Sequence, residues 1–309
     1  MQTTRCADKT EAKRSSIQAV LRWVRWTLSA WPVRRVRGWL SGPERDGGPS
    51  LQRRARTWLA PDEDALLPPR TVWAGPCDSI SHYYRWVWEY LAYLTIVADL
   101  RREDAVLELG CGHGRTARGL LSYLRSPGLY VGLDVNRQRI EDAQARISTG
   151  WPNFRFVWAD ALSPQDNPTG VDAAAYRFPM PDGQFDVVYA ASLFTHLLPN
   201  EAMNYLVESR RVVKVGGRCL FSFFILDFYR GPGTTISRLY EFDAPWPGHA
   251  GVAVRDPQAP HAVVAYREST IRQFAAEAGF VVERVLPGLW SEQPGLAVNE
   301  QDLVLLRSV

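Results

Sequence analysis

From Ala105 the chain reads Ala105-Val106-Leu107-Glu108-Leu109 and then Gly110-Cys111-Gly112-His113-Gly114, with a helical pattern from Arg115 to Leu124. Five residues suited to a buried strand, three glycines in five positions and a helix spell a strand, a tight turn and a helix start. Such a turn lets the backbone approach a ligand closely, and the helix behind it offers free N–H groups. Asp134 ends the next apolar run, 24 residues beyond Gly110. A carboxylate at that place can accept both hydroxyls of a ribose. The third run, Phe154–Trp158, leads into Ala159-Asp160-Ala161, where a carboxylate can accept from an adenine amino group.

The same alternation continues along the chain. Further strands are expected at Phe185–Ala190, Arg218–Leu226 and Phe280–Leu286, with Asp302–Leu306 as a closing edge strand. Helical patterns occupy Ser79–Leu100, Arg115–Leu124, Arg137–Ile147, Glu201–Val213 and Ser269–Ala278. The fold class is therefore α/β, a doubly wound, mostly parallel sheet with helices on both faces. Two stretches break the pattern, Ser163–Gly183 and the Gly-, Pro- and aromatic-rich Asp227–Tyr266; the second is a candidate substrate lid over 227–266.

Charge separates the chain into two parts. Residues 1–60 hold 13 Lys and Arg against 4 Asp and Glu, whereas the remainder holds 23 against 29. Ile17, Leu21, Val24, Leu28 and Trp31 recur at helical spacing, with Arg22 and Arg25 on the opposite side. Residues 1–60 are thus expected to form a basic, Trp-rich helical extension and linker, and 61–309 the α/β domain. The extension suits a polyanion, an anionic membrane surface met through residues 14–40 first of all. A solvated tail, or a helix docked on its own domain, fits the same residues. Nucleic acid is disfavoured, because the acidic body offers no basic path to a site. Arginines interrupt every candidate signal-peptide core and no apolar run spans a bilayer, so a cytoplasmic protein, peripheral at the inner membrane face, is expected. Four cysteines without a CxxC pair, and no His/carboxylate cluster at ligand spacing, give no metal site.

A dinucleotide fingerprint requires glycine where Arg115 stands, and Glu108 would repel a pyrophosphate. A sulfonium cofactor meets neither objection. The residues quoted resemble the class I S-adenosylmethionine-dependent methyltransferases, over about residues 80–226. Asp182-Gly183-Gln184-Phe185-Asp186, Ser192-Leu193-Phe194-Thr195-His196-Leu197-Leu198-Pro199 and Arg211-Val212-Val213-Lys214-Val215-Gly216-Gly217-Arg218 look like a bacterial small-molecule subgroup with glycan- and glycolipid-modifying members. The resemblance implies S-adenosylmethionine as cofactor, with Glu108, Gly110, Gly112 and Gly114 around its methionine part and Cys111 as a small turn residue beside it. It implies Asp134 at the ribose, Asp160 and Ala161 at the adenine, Ala191 near the transferring methyl, and Val135 as a further cofactor contact. The Asn-Pro-Pro-Tyr-like motif of nitrogen methylation is absent at Ala190-Ala191-Ser192-Leu193.

The expected activity is methyl transfer to a hydroxyl of a small or lipid-linked saccharide. His196, some six residues past the fourth strand, is the expected base, because imidazole titrates near neutral pH. Tyr84, Ser192 and Asp227 are expected at the acceptor. The alternatives are a lipid, quinone-type or RNA acceptor, a nicotinamide-dependent oxidoreductase, and a cofactor-binding membrane adaptor without catalysis.

Overall fold

The computed structural model describes residues 80–231, 240–292 and 299–309. The extension and linker expected over 1–60 lie outside the described residues. Helix α1 (Ile80–Ala92) runs into a wider turn at Tyr93–Val97 and precedes strand β1 (Ala105–Leu109). Then follow α2 (Ala117–Leu121), β2 (Leu129–Asp134), α3 (Arg137–Ala143), β3 (Phe154–Trp158) and β4 (Phe185–Ala190). Helix α4 (Pro199–Val212) passes directly into β5 (Val213–Phe223). Three short strands, β6 (Ala244–Pro245), β7 (Val252–Val254) and β8 (Val264–Tyr266), come before α5 (Glu268–Glu277), β9 (Phe280–Leu286) and β10 (Asp302–Ser308).

Seven strands form one sheet in the order β3-β2-β1-β4-β5-β10-β9. The first five are parallel, and β10 is antiparallel to both its neighbours. The central strands are apolar on both faces because both are covered. Trp86, Tyr90, Leu94, Leu120 and Ile140 pack on one side, and Tyr205, Leu206, Ile271 and Ala275 on the other. The order reverses between β1 and β4, and Leu107 of β1 pairs with Val131 of β2 and with Val188 of β4. Ligands of open α/β sheets bind beyond the strand ends at such a reversal.

The expected edge strand at Asp302–Leu306 is instead an inner strand. Leu303, Val304, Leu305 and Leu306 are all buried, and β9 lies outside them. Its first residue explains the insertion. The Asp302 carboxylate, buried, accepts from Ile225 N at 2.7 Å, Gly288 N at 2.6 Å and Trp290 Nε1 at 2.8 Å. It ties the end of β10 to two neighbouring connections.

The described part of 227–266 is held down. Its strands β6, β7 and β8 form a separate antiparallel sheet. Val264 N donates to Thr195 O at 2.8 Å and Tyr266 N to Phe224 O at 2.9 Å. This sheet is fixed to the loop that follows β4.

Candidate active site

Gly110, Gly112 and Gly114 all adopt positive φ, which L side chains seldom tolerate. The turn is anchored by Gly110 N and Cys111 N, which donate to Leu133 O at 2.8 and 3.1 Å. Gly112 N then donates to Asp134 Oδ2 at 2.7 Å, and Asn136 N to Asp134 Oδ1 at 2.9 Å. Asp134 is only 7% exposed. Burial raises its pKa, and the two backbone N–H groups oppose that shift. Each carboxylate oxygen holds one N–H and retains capacity for a second donor.

Asp134 lines a cavity of about 550 Å³ at the carboxyl ends of β1, β2, β3 and β4. Gly110, Val135, Ala159 and Leu162 form the wall nearest to it in sequence. Ala191, Ser192, His196, Tyr205, Glu201 and His261 also line it. Six of the expected residues therefore meet in one cavity: Gly110, Asp134, Val135, Ala191, Ser192 and His196.

Others are placed elsewhere. Glu108 is 2% exposed and turned into the core on the α1 side. Its carboxylate accepts from Thr116 Oγ1, Tyr130 Oη and, at 2.7 Å, Tyr189 Oη. Burial pushes its pKa up to about 7. Cys111 packs its thiol towards Gly132, where a Cβ would lie 2.8 Å from Sγ, and burial raises the thiol pKa. Gly114 serves packing, since a Cβ there would lie 2.8 Å from Ile147 and 3.1 Å from Phe156. Gly112 differs, because a Cβ there would meet nothing within 4 Å. Asp160 is exposed and accepts from Asn167 Nδ2 at 3.1 Å, and Ala161 is buried beside Val171. The wall near the expected adenine position is supplied by 162–166 instead.

Tyr84 lies under the Arg118 guanidinium, 5.1 Å from its ring centre, and Asp227 accepts from Glu268 N at 2.7 Å to satisfy the start of α5. Neither lines the cavity. Arg139, Glu201 and Tyr205 do line it and were not among the expected residues. The legible signal for Glu201 was its position three residues into a helix that opens with Pro199, where a carboxylate caps the backbone.

His196 lines the cavity with an exposed side chain. Desolvation by the neighbouring protein lowers its pKa, and hydrogen bonding to the carbonyls of His261 and Ala262 opposes that shift. Its Nδ1 donates to His261 O at 3.0 Å.

S-adenosylmethionine fits these residues. The open side of Gly112 leaves room beside the turn, and Asp134 presents a nearly buried acceptor to a pair of hydroxyls. Arg139 is paired with Asp166 at 3.2 Å, so the cation in this lining is already engaged, which disfavours a pyrophosphate. Among the described residues no group of His, Cys, Asp and Glu is placed to hold a metal ion.

Residues 107–221 match the family described as Methyltransferase domain. A fatty-acid O-methyltransferase of Mycolicibacterium smegmatis is 31% identical over 155 residues, 50% of this chain and 48% of that protein. A phthiotriol/phenolphthiotriol dimycocerosates methyltransferase of Mycobacterium ulcerans is 34% identical over 117 residues, 38% and 36% of the two chains. The chain thus spans about half the length or less of these relatives. A Pyrococcus horikoshii OT3 protein of known structure superposes with a TM-score of 0.50 at 20% identity, over 75% of this chain and 93% of that one, which shows a shared fold. Residues 107–221 are a methyltransferase domain, carried on the Rossmann-like fold of the class I enzymes that use S-adenosylmethionine.

Proposed function

We propose that this protein transfers the methyl group of S-adenosylmethionine to an oxygen of a small or lipid-linked acceptor, with a saccharide hydroxyl as the first class to test. The observation that carries this reading is the cavity itself. One part of its wall presents the glycine turn and Asp134, and another presents two imidazoles, His196 and His261, beside Tyr205. Bound there, S-adenosylmethionine supplies an electrophilic methyl group.

The chain's own work is to hold and align. Asp134 orients the ribose, and the Gly110–Gly112 backbone leaves space for close approach. Ala191 and Ser192 border the region where methyl and acceptor meet. Positioning two reactants at about 3–3.5 Å separation can lower the barrier by several kcal/mol. A hydroxyl also needs a base, and the imidazoles are the groups on this wall that suit neutral pH. His196 is the candidate that the sequence proposes.

A lipid acceptor is the second reading. The two relatives described above carry names of lipid methyltransferases, and the basic residues 14–40 would bring the domain to an anionic bilayer. No described helix is long and apolar enough to cross a membrane. On either reading the protein would work at the cytoplasmic side. Mass spectrometry of glycans and lipids from cells with and without the gene tests both, by the loss of one CH₂ from a single class. No difference in either fraction would contradict both.

A further inference from the structure

We infer that His261, with Glu201 behind its ring, is the group that takes the acceptor's proton, an assignment that rests on the methyltransferase reading. His261 comes from the connection between β7 and β8. That connection is fixed at its ends: Ala262 N donates to Ala259 O at 2.9 Å, Arg255 N to Val263 O at 3.1 Å and Val264 N to Thr195 O at 2.8 Å. The ring therefore reaches the cavity from a braced backbone.

Glu201 orients it. Glu201 Oε2 accepts from Leu198 N at 2.7 Å, and Glu201 Oε1 lies 3.0 Å from His261 Nε2. With both carboxylate oxygens engaged, the proton of the neutral ring sits on Nε2, facing Glu201. The lone pair is then on Nδ1, to which none of the described hydrogen bonds runs. A base whose far nitrogen is held by a carboxylate has a defined tautomer, and its cation is stabilised as it forms.

His196 has the opposite arrangement. Its Nδ1 donates to a main-chain carbonyl, and among the described residues no carboxylate is hydrogen-bonded to its ring. The two environments push the imidazoles apart: Glu201 raises the pKa of His261, and desolvation by neighbouring protein lowers that of His196. Glu201 on α4 is the charged group in contact with the His261 ring. His196 and Tyr205 are the other titratable side chains of that wall, and Arg139 in the same lining is paired with Asp166.

The step balances without a further reactant. The acceptor oxygen forms a bond to the methyl carbon as the carbon–sulfur bond breaks, leaving its electron pair on a neutral thioether. The hydroxyl proton passes to His261 Nδ1, and the imidazolium beside Glu201 returns it to water after product release. Protonated His261 cannot accept, so turnover rises with pH through the His261 pKa.

Reaction of the full-length protein with diethyl pyrocarbonate, followed by peptide mass spectrometry across pH, needs no acceptor. His261 should be carbethoxylated with a midpoint above the ordinary histidine value of about 6.5, and Glu201→Gln should lower that midpoint. Release of S-adenosylhomocysteine is then measured with a methyl glycoside, a long-chain alcohol and a long-chain fatty acid as probes. With a hydroxyl probe, His261→Gln should reduce turnover by roughly 10²–10⁴-fold at unchanged S-adenosylmethionine affinity. His196→Gln should keep the rising limb of the pH profile. The assignment is overturned if His261 resists carbethoxylation while His196 reacts, or if the limb vanishes in His196→Gln and survives in His261→Gln. Equal turnover of the fatty acid by wild type and His261→Gln, with neither hydroxyl probe used, would also overturn it. The carbethoxylation result decides alone where no probe turns over. A wild-type protein that does not bind S-adenosylmethionine would instead sink the methyltransferase reading itself.

Discussion

At Glu108 burial and hydrogen bonding act against each other. Three hydroxyls surround the carboxylate, yet desolvation prevails and pushes its pKa up to about 7. An acid whose pKa is raised on folding stabilises the native state fully below its unfolded pKa, near 4.5. That contribution is lost as pH rises through about 7. Glu108→Gln should therefore flatten the fall in unfolding free energy over this window, by a few kcal/mol at most. Asp302, pushed up to about 7 for the same reason, would leave part of the slope in place. Thermal denaturation of both proteins from pH 4.5 to 8 measures it, and equally steep curves would show that Glu108 is ionised throughout. The glycines give a second contrast at this scale. Gly114→Ala adds a Cβ against Ile147 and Phe156 at positive φ, and should cost about 1–3 kcal/mol of stability. Gly112→Ala adds one into open space, so its stability loss should be smaller and its main effect a weaker S-adenosylmethionine affinity. Reversed effects in chemical denaturation and calorimetric titration would exchange the two roles.

Among the elements, the sheet from β7 to β8 carries the least expected result. Its backbone bonds to Thr195 and Phe224, and Tyr266 Oη donates to Leu197 O. These contacts make β8 part of the cavity's frame. Hydrogen exchange should find the Val264 and Tyr266 amides protected in the ligand-free protein to a degree near that of β4; fast exchange at both would return this segment to the role of a mobile lid. The strand–turn–helix at Ala105–Leu121, Asp134 at the end of β2, and the alternation that gives five parallel strands were legible because each rests on local chain chemistry. The inner position of β10 was not. It depends on Asp302 meeting N–H groups at Ile225, Gly288 and Trp290, a long-range satisfaction that periodicity cannot carry. The Glu201–His261 pair was hidden likewise, since its members lie 60 residues apart. Glu108 keeps the spacing of a ligand contact, but strand alternation turns it to the α1 side, where Tyr130 and Tyr189 hold its carboxylate in the core.

For the whole molecule, the contrast between a basic extension and an acidic body predicts a salt-sensitive attachment. The full chain should sediment with vesicles containing anionic lipid and not with neutral ones, and less so as salt rises. A chain lacking residues 1–50 should remain in solution while it still binds cofactor; equal sedimentation of the truncated chain would place the contact on the domain. The central claim concerns the domain, that the glycine turn and Asp134 hold S-adenosylmethionine. Isothermal titration of the full chain and of Asp134→Ala with S-adenosylmethionine and with NAD tests it directly. The account predicts saturable binding of S-adenosylmethionine alone by the wild type, weakened in Asp134→Ala by a few kcal/mol for the lost charge-assisted bonds. Binding of NAD in its place, or equal affinity of the two proteins for S-adenosylmethionine, would contradict it.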